Sequence, residues 1–238
     1  MDGIYCSKGK SGQNDTGLAG NLAFIISIKN QLLMACNHRF IDSLDLTDLD
    51  YDPQILVVGT FNPAWPDANY AGWFYGRTRN NYFWDVFPRM FDPNLNLRGE
   101  GPEVWRRFCR ENKVALTDLI RAINDANQEN NEHLRIIGGY SDSAISKFRS
   151  FDFTDIVGLL RRHPSITRVY LTRLPGNPFF DGLWFTVQEY CIHNNIRVSN
   201  LLTPSGNARY QMGDYKQRNP NDREPLRNFI YESWQANW

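Results

Sequence analysis

Four histidines and four cysteines are scattered along the 238 residues as His38, His133, His163 and His193, and Cys6, Cys36, Cys109 and Cys191. No C-x-x-C pair and no Cys/His cluster joins them, so neither a zinc ribbon nor an iron–sulfur centre is expected, and the chain is read as needing no metal and no cofactor. No Ser-His-Asp spacing stands out and Ser205 has no recognisable base, which argues against an esterase-type nucleophile. The basic side chains are skewed, 20 Arg against 6 Lys. A planar guanidinium forks onto phosphate or stacks on a base where an ammonium cannot, although compositional drift produces the same excess. Polar and aromatic groups gather beside Gly and Pro in two places. One is Gly59-Thr60-Phe61-Asn62-Pro63-Ala64-Trp65, followed by Trp73-Phe74-Tyr75 running into Gly76-Arg77-Thr78-Arg79-Asn80-Asn81-Tyr82-Phe83-Trp84. The other is Leu202-Thr203-Pro204-Ser205-Gly206-Asn207-Ala208-Arg209-Tyr210.

Each of these stretches follows a short apolar run. Ile55-Leu56-Val57-Val58, ending in Gly59, reads as a buried parallel strand, and similar runs recur at 114–117, 167–171 and 196–202. Helical patterns lie between them, at about 80–91, 102–112, 153–163 and 180–194, with a closing helix at about 222–235. Strands alternating with helices predict an α/β fold, a three-layer α/β/α sandwich with a short, mainly four-stranded parallel sheet. In such a sheet the ligand crevice lies beyond the carboxyl ends of the strands, where the two gatherings stand and where the third run ends in Leu171-Thr172-Arg173.

With 26 basic and 26 acidic side chains, 42% hydrophobic residues and a pI near 6.9, the chain has neither the composition of a disordered protein nor a uniformly basic surface. No stretch approaches the roughly 18 consecutive apolar residues of a membrane span. A soluble, cytoplasmic monomer is expected. Residues 1–33 are polar at first and then apolar from Leu22 to Ile28; they read as an N-terminal extension or disordered arm, an edge strand, or a start misassigned upstream of Met34. Lys8, Lys10 and Leu33-Met34-Ala35-Cys36 also have the outline of a lipoprotein signal, but Lys29-Asn30-Gln31 interrupts its apolar region. Residues 34–238 form the predicted domain.

Four ordered blocks resemble the uracil-DNA glycosylase superfamily: Gly59 to Pro63, Asn81-Tyr82-Phe83-Trp84, Val114-Ala115-Leu116-Thr117-Asp118 and Thr203-Pro204-Ser205-Gly206-Asn207-Ala208-Arg209. The first, second and last are similar to the mismatch-specific branch. The third, with the segment Phe153 to Leu171, is similar to the hypoxanthine branch. One extra residue separates Gly59 from Asn62, and Thr203 stands where relatives carry Asn or His. The resemblance covers about residues 53–235 and implies a monofunctional enzyme that flips a deaminated base, uracil or hypoxanthine, out of DNA and hydrolyses its N-glycosidic bond.

It assigns water positioning to Asn62 or Asn81, each of which also reads as a local turn or cap residue. Base binding falls to Gly59, Thr60, Phe61, Phe74, Tyr75 and Thr203, and DNA contact to Arg77, Arg79, Pro204, Ser205, Gly206, Asn207 and Arg209. An amide is no strong general base, so slow turnover is expected unless a carboxylate shares the task. A non-catalytic sensor of modified bases and a hydrolase of free nucleosides or nucleotides remain the alternatives.

Overall fold

The computed structural model describes residues 35–67 and 70–238; the readings of residues 1–33 fall outside the described residues. Strands β2 (Ile55–Gly59), β3 (Val114–Asp118), β6 (Arg168–Leu171) and β7 (Arg197–Asn200) form one parallel sheet in the order β3-β2-β6-β7. The helices are α1 (Phe83–Arg89), α2 (Pro102–Glu111), α3 (Asn131–Gly138), α4 (Asp142–Ile145), α5 (Ile156–Arg162), α6 (Pro178–His193), α7 (Gly213–Arg218) and α8 (Pro225–Gln235).

Every residue of β2 and β3 is buried, and alternation along each strand divides them between two cores. Leu56 and Val58 face a mainly aliphatic core with Leu159, Leu160, Trp184 and Val187 of α5 and α6. Ile55 and Val57 face an aromatic core with Phe83, Trp84, Trp105 and Trp234 of α1, α2 and α8. The architecture is therefore the expected three-layer α/β/α sandwich around a four-stranded parallel sheet. None of the described helices is long and apolar enough to cross a membrane.

A second, antiparallel sheet has no counterpart in the sequence-based expectation. Its strands β1 (Cys36–Asn37), β4 (Ile120–Ile123) and β5 (Phe151–Phe153) lie in the order β1-β4-β5. These strands are two to four residues long, too short for a periodic signal. The helix predicted from Phe153 starts instead at Ile156, because Phe153 stays in β5 and Asp155 caps the helix by accepting the Gly158 N–H. The helix predicted from Asn80 starts at Phe83: the Asn81 side chain accepts the Phe83 N–H, and the Tyr82 N–H goes to the Pro204 carbonyl. The closing helix starts at Pro225, which suits a first-turn position because its missing N–H would have no partner there.

Candidate active site

From β2 the chain steps to β3 on one side and later to β6 and β7 on the other, so the strand order reverses at β2. Beyond the carboxyl ends of the strands at this switch point lies a cavity of about 420 Å³. All four strands feed it: Gly59 ends β2 and residues 60–62 follow it, Asp118 ends β3, residues 172–176 follow β6 and residues 202–205 follow β7.

Asp118 and His38 hold the floor. His38 Nε2 lies 2.7 Å from Asp118 Oδ2, with His38 1% and Asp118 5% exposed. His38 Nδ1 accepts the Phe40 N–H at 3.0 Å, so the ring proton sits on Nε2 and is donated to the carboxylate. The imidazole is wedged among Phe40, Phe61 and Phe74, which fixes its plane. Backbone bonds fix its height: His38 N–H donates to the Arg121 carbonyl, Arg39 N–H to the Asn62 carbonyl and Ala64 N–H to the Asn37 carbonyl. The chain at 37–39 is thereby laced to Asn62 on one side and to β4 on the other.

The second Asp118 oxygen lies over Gly59. A Cβ at that position would fall 2.1 Å from Asp118 Oδ1 and 2.9 Å from the Tyr75 hydroxyl, so only glycine lets both groups approach the strand end. Tyr75 holds a left-handed backbone (φ 57°), uncommon for an aromatic residue, and is kept there by stacking on Phe83 at 3.8 Å and by its hydroxyl bond to Thr172. Thr172 Oγ1 donates its own proton to the Val58 carbonyl, so Tyr75 is the donor in the pair. Burial first, and then the charge of Asp118, push the Tyr75 phenol well above its ordinary range and keep it protonated.

Two guanidinium groups also line the cavity. Arg173 pairs with Asp142, whose other oxygen accepts the Thr60 hydroxyl at 3.0 Å. Burial holds the Asp142 carboxyl above its ordinary value, against the opposing pull of Arg173. Arg77 lies 3.3 Å over the Tyr140 ring, and burial lowers its pKa.

Most of the residues singled out in the sequence meet at this cavity: Gly59, Thr60, Phe61, Asn62, Tyr75, Arg77, Asn81, Thr203, Pro204, Ser205 and Asn207 all line it. Asn81 does so while its side-chain oxygen is already bonded to the Phe83 N–H. Gly206, Arg79 and Arg209 lie outside the lining; Arg79 sits over Tyr70, and Arg209 Nε donates to the Gly206 carbonyl. Phe74 is corrected: it is 1% exposed, packs on Phe40, Trp73 and the back of His38, and so cannot stack a bound base. The sequence reading passed over His38, Asp118, Tyr140 and Asp142 as site residues. Asp118 alone had a usable signal, an acidic residue closing the second buried run at a strand end.

No protein-family model matches the chain, and no curated protein does. Among solved structures it is similar to a solution NMR structure named "putative Uracil DNA glycosylase" from Methanosarcina acetivorans. The match is at 15% identity with a TM-score of 0.46, covering 78% of this chain and 94% of the other.

Proposed function

We propose that the chain is a monofunctional DNA N-glycosylase that hydrolyses the bond between deoxyribose and a deaminated base, uracil or hypoxanthine, flipped out of DNA. The observation that carries this reading is convergence. The four sequence blocks, separated by up to 140 residues, each contribute to one cavity: residues 59–62, Asn81, Asp118, and Thr203, Pro204, Ser205 and Asn207.

Cleavage takes the sugar toward an oxocarbenium ion while the bonding electron pair leaves on the base. Asp118 meets both needs at the sugar: its charge favours the developing cation, and it takes a proton from the water that attacks the anomeric carbon. His38 acts through Asp118, holding one oxygen so that the other stays over Gly59. Asn62 shares in positioning the water. Asn81, whose side-chain oxygen also accepts the Phe83 N–H, is the other candidate for that task. Phe61 offers an aromatic surface to the base, and Arg77 offers positive charge to the departing anion. Among the described residues no lysine lines the cavity, so no Schiff base with the sugar is expected and the product is an abasic site.

The test is release of free base from labelled duplexes carrying uracil, hypoxanthine, xanthine or thymine, with free deoxynucleosides in parallel. The expected result is base release from uracil- or hypoxanthine-containing DNA, reduced in whichever of Asn62→Ala and Asn81→Ala removes a partner of the attacking water. Release from free deoxynucleosides alone supports a nucleoside hydrolase instead, and tight lesion binding without release supports a sensor.

A further inference from the structure

The 3-10 helix Gly206–Gln211 projects the most exposed large hydrophobic side chain among the described residues, Tyr210, which is 82% exposed. A 3-10 helix has three residues per turn, so side chains at i and i+3 eclipse. Tyr210 therefore stands on the same face as Asn207, which lines the cavity, and the next residue, Gln211, lines it too. The helix is anchored from beneath: Ala208 is fully buried, the Gly206 N–H donates to the Asn80 carbonyl, and the Tyr82 N–H donates to the Pro204 carbonyl. Arg209 is drawn back along the loop by its bond to Gly206, leaving the tyrosine ring to project with a guanidinium 5.8 Å from its centre. Across the joined segments, exposed Arg79 lies 5.5 Å over Tyr70, itself 50% exposed.

An extruded base leaves a gap in the stack that must be filled, and an aromatic face fills it without regard to sequence. Asn207 is short and polar. We infer that Tyr210, not Asn207, is the residue that enters the DNA stack and holds the flipped nucleotide in the cavity, with Arg209 and Arg79 on the flanking phosphates. This inference rests on the glycosylase reading and adds to it a positioning residue for duplex DNA.

The experiment compares single-turnover rates on a lesion within a duplex and on the same lesion in a single strand, which has no paired stack to invade. Tyr210 is exposed, so its substitution leaves the fold intact. Tyr210→Ala is expected to lose about tenfold or more on the duplex and less than about twofold on the single strand. Tyr210→Phe retains the duplex rate, because the ring and not the hydroxyl does the stacking, and any loss in Asn207→Ala, a residue of the cavity lining, falls equally on both substrates. An unchanged duplex rate for Tyr210→Ala, an equal loss on both substrates in that variant, or a duplex-specific loss carried by Asn207→Ala overturns the inference while the glycosylase reading stands. A wild-type protein inert on both DNA forms overturns both.

Discussion

At the floor of the cavity, His38, Asp118, Tyr75 and Thr172 are bonded to one another or to backbone, and aromatic rings fix the planes of His38 and Tyr75. At the mouth, Asn207, Arg209 and Tyr210 face solvent on a helix of six residues, fastened below through Ala208 and the Gly206 N–H. On the proposed glycosylase reading, the difference follows the demands on each region. A carboxylate that activates water works only if its oxygens are already in place, because displacement by about 1 Å can cost about a hundredfold. A surface that meets a deformable duplex needs reach and an aromatic face.

Substitutions at the floor should therefore change the chemical step, and those at the mouth should change DNA engagement. The largest effect is expected for Asp118→Asn, which keeps the size of the side chain and removes its capacity to take a proton. Single-turnover cleavage should fall by about 10²- to 10⁴-fold with lesion binding little changed. Gly59→Ala should cost up to about a hundredfold, since its new methyl meets Asp118 Oδ1 and forces the carboxylate aside. Loss of DNA affinity in that variant, with the cleavage rate intact, would break the division between the regions. His38→Gln should slow cleavage by about tenfold, the worth of one hydrogen bond to a charged acceptor, with an unchanged dissociation constant for DNA.

At the mouth, Arg209→Ala should leave single-turnover cleavage at saturating enzyme unchanged and reduce the slope of log affinity against log salt by about 1. Salt titration of binding checks this. The smallest effect is on stability. The folded-state pKa of Asp142 is raised by burial, so the stability tied to its protonation is complete below the ordinary value of 3.8 and is lost as pH rises through the folded value. Asp142→Asn does not titrate, so its stability relative to wild type should rise with pH over that interval. Urea melts from pH 3 to 7 that keep a constant difference would contradict it.

The parallel sheet was legible because β2 and β3 carry continuous apolar runs, closed by Gly59 and by Thr117-Asp118, and two more β-rich runs alternate with helical patterns after them; the first and last blocks were legible because they stand at strand ends. The floor was not. His38 reaches Asp118 across 80 residues through a two-residue strand, which leaves no pattern in the sequence. Asp118 is followed by a single residue before β4, so no loop marks it as the mouth of a crevice. Phe74 and Tyr75 are adjacent aromatics whose fates differ through one left-handed residue: the turn at Tyr75 sends one ring into the core and the other to the cavity. No composition rule separates such a pair.

The most direct measurement is single-turnover cleavage of uracil- and hypoxanthine-containing duplexes by wild type and Asp118→Asn, with lesion binding measured on the same preparations. The account expects cleavage by the wild type, and near-complete loss with binding retained in the variant. Cleavage at the wild-type rate by Asp118→Asn would contradict it.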